Sequence, residues 1–225
     1  MTTLASLSRE EREAHYKVRD GTPVPDAIAE SIERVRWVQY YHSLEQYRSF
    51  LDVCCKDGFA SRWAVDSEVV QGVVGIDICE EAIQHANELL SSRQGKDKGK
   101  YYCVSWWTWY ERWKRIWGML TPEQRAGAGF DAVLCMEALE HFPEPEARSL
   151  VRTCFDVLSP GGRIFLTTPH IDGPFGRGNI DEEHIFLQSP QSLTQVIIDE
   201  TGQTPEVETV GPLIHATWRK PGDRE

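Results

Sequence analysis

Residues 49–58 read SFLDVCCKDG, an apolar run that contains one aspartate and leads into a turn ending on glycine. Residues 72–77 read GVVGID and repeat the pattern, a short apolar run that closes on an acid. Runs of this length, bounded by turn residues, are typical of buried strands in a parallel sheet. Because a glycine-bearing turn after the first strand lets backbone N–H groups approach a ligand closely, the stretch predicts a ligand-binding α/β fold.

Strand and helix patterns alternate along the rest of the chain. We predict further strands at 100–105, 130–136, 162–168, 207–210 and 213–218. Helical patterns cover 80–90, 144–158 and 190–201, and Pro160-Gly161-Gly162 is expected to close the second of them. This order predicts a Rossmann-like α/β fold, with a mostly parallel seven-stranded sheet, helices on both faces and an antiparallel last strand.

The chain is expected to form one enzymatic domain with two additions. Residues 1–45, with a helix at 26–41, are predicted to form a helical cap on the pocket, and residues 46–225 the domain itself. A tryptophan-rich helical insertion is predicted at about 106–126. Its tryptophans recur at helical spacing and share one face, which favours packing against the core and leaves an acceptor or partner surface as the alternative: Trp106, Trp109, Trp113 and Trp117.

Composition and charge disfavour several classes of function. The 225 residues carry a formal net charge of −11, which disfavours binding to nucleic acid. The longest apolar runs are too short to span a membrane, and the first twenty residues do not resemble a secretion signal. The six cysteines lack the spacing of metal ligands, so free thiols in the cytoplasm are expected. The oligomeric state is left open.

Four segments in register resemble the class I S-adenosylmethionine (AdoMet) dependent methyltransferases. They are 50–58, 74–78, 130–143 and 158–169. Within this class the chain looks most like the ubiquinone-biosynthesis O-methyltransferases and the methyltransferases of bacterial surface-glycan clusters. It shares two N-terminal sequence patterns with the second group, at 21–25 and 34–37. The resemblance covers roughly residues 20–200 and implies AdoMet as cofactor, with a small-molecule or saccharide hydroxyl as methyl acceptor.

The resemblance also implies a set of cofactor residues. Asp77, at the end of the second strand, is expected to accept hydrogen bonds from both ribose hydroxyls, with a helix N-cap as the alternative role. The family has glycine where this chain has Cys54 and Lys56, and Ser105 and Trp106 stand where it usually has an acid near the adenine. The predicted cofactor-binding residues are Arg34, Arg36, Asp52, Cys54, Lys56, Gly58, Asp77, Ile78, Ser105, Trp106 and Met136.

Candidate catalytic residues follow the fourth and fifth strands. Methyl transfer to a hydroxyl requires alignment of the acceptor and removal of its proton, and imidazole exchanges protons near neutral pH. We therefore predict His141, Glu140 and His170 as catalytic residues. The alternative is that His141 caps the next helix and Glu140 is a loop charge.

Rival functions remain at this point. The set Glu137, Glu140, His141 and His184 resembles the metal ligands of small-RNA 2′-O-methyltransferases, although no metal is our main expectation. A metal-dependent ribose methyltransferase is thus one alternative, and a degenerate methyltransferase-fold scaffold is another. A hydrolase is disfavoured because GxSxG is absent, and a nicotinamide dehydrogenase because GxGxxG is absent.

Overall fold

Seven strands form a single sheet in the computed structural model, which describes residues 8–11, 46–62, 64–125, 127–173 and 183–222. The strands are β1 (Ser49–Val53), β2 (Gly72–Asp77), β3 (Gly99–Cys103), β4 (Phe130–Met136), β5 (Leu158–Pro169), β6 (Glu206–Val210) and β7 (Leu213–Arg219). Their order across the sheet is β3-β2-β1-β4-β5-β7-β6. Strands β1 to β5 pair in parallel, whereas β7 runs antiparallel to both β5 and β6. The predicted sheet is confirmed.

Helices cover both faces of the sheet. They are α1 (Glu80–Ser91), α2 (Trp106–Met119), the short α3 (Pro122–Arg125), α4 (Glu144–Asp156) and α5 (Pro190–Thr201). Side chains alternate along a strand, so Phe50 of β1 packs with Ile83 of α1 on one face. Leu51 packs on the other face with residues of α4 and α5 such as Leu150 and Leu193.

The tryptophan-rich insertion packs against the second of these faces. Trp106 is buried in the core, and Trp109 and Trp113 are half-buried against it. The outer side of α2 exposes Ile116 and Met119. Core packing is therefore confirmed for most of the stripe. None of the described helices has the length and apolar character needed to cross a membrane.

The main difference from the sequence prediction lies at the start of β5. Residues 160–162 were expected to close α4, but that helix ends at Asp156 and the strand begins at Leu158. Gly161 has a φ of 77°, and the register between β4 and β5 shifts there, so these glycines form an irregularity inside the strand. The predicted N-terminal helix at 26–41, most of the 1–45 cap and loop residues 174–182 lie outside the described residues.

Candidate active site

A cavity of about 320 Å³ opens at the carboxyl ends of the parallel strands. The first four strands end at one edge of the sheet, where ligands bind in open α/β folds. Most of the cavity wall comes from the turn after β1, the segment after β2, the start of α2 and the segment after β4. The lining residues are Arg9, Cys54, Lys56, Ile76, Asp77, Ile78, Cys79, Ala82, Val104, Ser105, Trp106, Trp107, Glu137, Ala138, His141, Phe142 and Glu146.

The turn after β1 keeps a glycine-like backbone without two of its glycines. Cys54 has a φ of 58° and Lys56 a φ of 49°, both in the left-handed region. L residues with a side chain pay about 1–2 kcal/mol for this conformation. Gly58 has a φ of 70°, and a Cβ there would lie 2.5 Å from the Tyr101 ring. The path of the turn is thus retained at a cost in backbone strain.

Asp77 joins this turn to the end of β2. Its Oδ2 accepts a hydrogen bond from the backbone N–H of Lys56 at 2.8 Å, and its Oδ1 accepts one from Cys79 at 2.9 Å. Burial raises the pKa of Asp77, while these N–H donors lower it. The N-cap of α1 is Cys79, so the alternative role of Asp77 as helix cap is wrong. A carboxylate offers about four lone-pair sites, so Asp77 retains acceptor capacity for a ribose hydroxyl.

Three further residues that were predicted to bind the cofactor line the same cavity as Asp77. They are Ile78, Ser105 and Trp106. Ser105 donates its hydroxyl hydrogen to Thr108 at 2.9 Å. Trp106 is 5% exposed, and its Nε1–H has no hydrogen-bond partner among the described residues, which leaves a buried donor at the wall. The left-handed turn, the acid and this donor fit a bound nucleoside.

His141 also lines the cavity, and it lies in a single 3-10 turn, Leu139–His141. His141 Nδ1 lies 3.2 Å from the carbonyl oxygen of Glu183. Because a carbonyl only accepts, this contact requires a hydrogen on Nδ1 and leaves Nε2 as the basic nitrogen of the neutral ring. The N-cap of α4 is Pro143, so His141 does not cap that helix.

Glu140 lies behind the cavity wall. It is 1% exposed and accepts a hydrogen bond from the Thr168 hydroxyl at 3.0 Å, so its interpretation as a loop charge is wrong. Burial is the main cause that raises its pKa to about 8. Ligand atoms of Glu140, His141 and His184 lie within 4.8 Å of one another, a spacing that can hold a divalent cation. Glu137, the fourth member of the predicted set, lines the cavity.

Several predicted site residues lie away from the cavity walls. Asp52 is buried within β1, and the Met136 sulfur accepts a hydrogen bond from Thr167 at 3.4 Å. His170 follows β5, where its Nδ1 accepts the backbone N–H of Asp172 at 3.0 Å. Gly58 shapes the turn without lining the cavity. Arg34 and Arg36 lie outside the described residues.

Several lining residues were not predicted from the sequence, among them Arg9, Trp107 and Glu146. These three come from the N-terminal segment, α2 and α4, which are distant in sequence. Trp107 directly follows Trp106, a predicted cofactor residue. This adjacency was the signal in the sequence that could have indicated Trp107. Arg9 follows Ser8 in a Ser-x-x-Glu pattern, which predicts a helix start but no position in the fold.

With this geometry described, comparison with known proteins identifies the family. A family model for the methyltransferase domain matches residues 24–202. The chain belongs to the methyltransferase domain family. The class I methyltransferase resemblance is confirmed, and AdoMet is the cofactor of that class.

Relatives of this methyltransferase include ubiquinone biosynthesis O-methyltransferases. The protein of that name from Idiomarina loihiensis is 31% identical over 121 residues, which cover 54% of this chain and 42% of the relative. The one from Bordetella avium is 34% identical over 135 residues, which cover 60% of this chain and 48% of the relative. The methyltransferase thus matches less than half the length of either.

Solved structures share the fold of this methyltransferase at low sequence identity. An O-methyltransferase family protein from Burkholderia thailandensis superposes with a TM-score of 0.67 at 14% identity, covering 96% of this chain and 64% of that chain. DhpI in its SAH complex superposes with a TM-score of 0.63 at 18% identity, covering 100% of both chains. These similarities support the predicted Rossmann-like fold.

Proposed function

We propose that this methyltransferase transfers the methyl group of AdoMet to a hydroxyl oxygen of a small molecule. One observation carries the proposal: Asp77, Lys56 and His141 line the same cavity. The predicted cofactor residues and a candidate proton acceptor thus lie around one cavity. The names of the curated relatives support oxygen as the methylated atom and a small molecule as acceptor. The six free cysteines support a cytoplasmic site for the reaction.

The protein groups in this reaction position the acceptor and remove its proton. When bound, AdoMet supplies an electrophilic methyl carbon on a sulfonium. With AdoMet held beside Asp77 and Lys56, Nε2 of His141 would take the hydroxyl proton as the acceptor oxygen bonds to the methyl carbon, and S-adenosylhomocysteine would be the leaving group. The Glu183 carbonyl holds the imidazole by its Nδ1–H, so the basic nitrogen stays in a fixed orientation.

A metal-assisted form of the same reaction is the second candidate. It is favoured by the convergence of Glu140, His141 and His184 within 4.8 Å. Oxygen and imidazole ligands suit Mg²⁺ or Mn²⁺, and such an ion would bind the acceptor oxygen in place of a protein base. In that form His141 is a ligand and does not take the proton.

A direct test is the formation of S-adenosylhomocysteine from AdoMet with a panel of acceptors. The panel contains phenols, catechols and hydroxylated saccharides, each assayed with and without a chelator. We expect turnover with at least one small-molecule hydroxyl, and a preference within the panel separates a phenolic acceptor from a saccharide. Saturable AdoMet binding without turnover on any hydroxyl would contradict O-methyl transfer.

A further inference from the structure

The N-terminal segment Ser8–Glu11 contributes one residue, Arg9, to the wall of the cavity. Two reciprocal hydrogen bonds fix its backbone: Glu11 N–H donates to the Ser8 hydroxyl at 3.3 Å, and Ser8 N–H donates to Oε2 of Glu11 at 2.8 Å. This capping box satisfies backbone donors that a helix start leaves open. It also fixes the backbone at Arg9, the member of the segment that lines the cavity.

Arg9 contacts two other residues that line the cavity. Its guanidinium lies 4.7 Å from the centroid of the Trp107 ring on α2. Its Nε lies 3.6 Å from Oε1 of Glu146 on α4. A guanidinium can stack on an aromatic face and pair with a carboxylate at the same time, because it is planar and permanently charged. One side chain thus connects two helices that follow different strands.

We propose that Arg9 is a clasp across the cavity wall that positions the acceptor and retains the cofactor. Trp107 and Glu146 line the cavity together with Arg9, so the bridge from α2 to α4 forms part of the cavity wall. Side-chain exposure is 45% for Arg9 and 15% for Glu146, and ion pairs of this kind are weak. The clasp therefore opens readily enough for turnover, as product release requires. The acceptor part of this inference rests on the proposed function.

Release of S-adenosylhomocysteine from the full chain tests the clasp without any methyl transfer. Stopped-flow tryptophan fluorescence measures the dissociation rate at low and high salt. We expect Arg9→Ala to raise the rate about fivefold to tenfold, since it removes two weak contacts. Salt should accelerate release from the wild type more than from Arg9→Ala, because only the wild type has the Arg9–Glu146 ion pair. Arg9→Lys should restore part of this extra salt dependence, and Glu146→Gln should remove it.

The matched control is Lys114→Ala on α2, the helix that also contains Trp107. Lys114 also combines an ion pair, with Glu111 at 2.6 Å, and a cation–aromatic contact, 4.7 Å from the Tyr110 ring, but it lies away from the cavity. The Lys114→Ala variant should release S-adenosylhomocysteine at the same rate as the wild type. Unchanged release in Arg9→Ala, or equal acceleration in Lys114→Ala, would overturn the clasp. If an acceptor is found, Arg9→Ala should raise the KM for that acceptor more than it lowers kcat. If no acceptor is methylated, the proposed function fails, but the release rates still test the clasp.

Discussion

Lys56 donates its backbone N–H to Oδ2 of Asp77 at 2.8 Å, and this bond ties the turn after β1 to the end of β2. The carboxylate that is proposed to receive the ribose thus also holds the turn that shapes the rest of the site. Lys56 adopts a φ of 49° to make this contact. Structural and binding roles therefore overlap at Asp77 and are to be measured separately.

Replacement of Asp77 tests the ribose contact. We expect Asp77→Ala to weaken AdoMet binding by about 2 kcal/mol or more, because it removes a charge-assisted acceptor for two hydroxyls. Calorimetry measures this loss, and denaturant unfolding measures the separate loss of the Lys56 contact. Asp97→Ala, at an exposed position outside the cavity, is the control and should change neither quantity. An unchanged dissociation constant in Asp77→Ala would remove the ribose role.

The strained backbone at Lys56 gives a prediction about stability. We expect Lys56→Gly to be more stable than Lys56→Ala by about 1 kcal/mol, since both remove the side chain but only glycine relieves the left-handed strain. At Lys98, which has no positive φ, the order should reverse because glycine gains more entropy on unfolding. Denaturant unfolding of Lys56→Gly, Lys56→Ala, Lys98→Gly and Lys98→Ala measures which variant is more stable at each position. The same order at both positions would contradict strain at Lys56.

His141 is tested by separating rate from affinity. We expect His141→Ala to lower kcat on the true acceptor by roughly 100-fold or more while leaving AdoMet affinity nearly unchanged, as for loss of a general base. Equal losses in rate and affinity would indicate a structural histidine instead. A chelator separates the two candidate mechanisms. Activity that survives exhaustive chelation supports the base, and activity restored by Mg²⁺ or Mn²⁺ supports the metal-assisted form.

Burial of Glu140 gives the protein a predictable pH dependence. Its pKa is raised from 4.5 to about 8 in the folded state, so the folded protein binds more protons than the unfolded chain between these values. Its contribution to stability is therefore fully present below pH 4.5 and is lost as the pH rises towards 8, by up to about 1.4 kcal/mol per pH unit. In chelated buffer, Glu140→Gln should gain stability relative to the wild type across this window. A constant difference between the two proteins would contradict the raised pKa.

Much of this architecture is predictable because the strands carry their own signals. Apolar runs at 49–53 and 72–77 fix β1 and β2, and the family's glycine pattern indicates which turn positions need a left-handed backbone, although cysteine and lysine occupy two of them. The position of Arg9 was not predictable, because its contacts join it to residues about a hundred positions away. Burial of Glu140 depends on a single 3-10 turn, which has no periodic signal.

The most direct test of the account is calorimetric titration of the wild-type protein with AdoMet and with S-adenosylhomocysteine. We predict saturable binding, weakened by Lys56→Ala and by added salt, because we expect the lysine ammonium to contact the methionine carboxylate. Lys98→Ala, which removes an equal charge outside the cavity, should bind like the wild type. No saturable binding by the wild type, together with binding restored in Lys56→Gly, would show that the lysine obstructs the site and would contradict a working cofactor pocket.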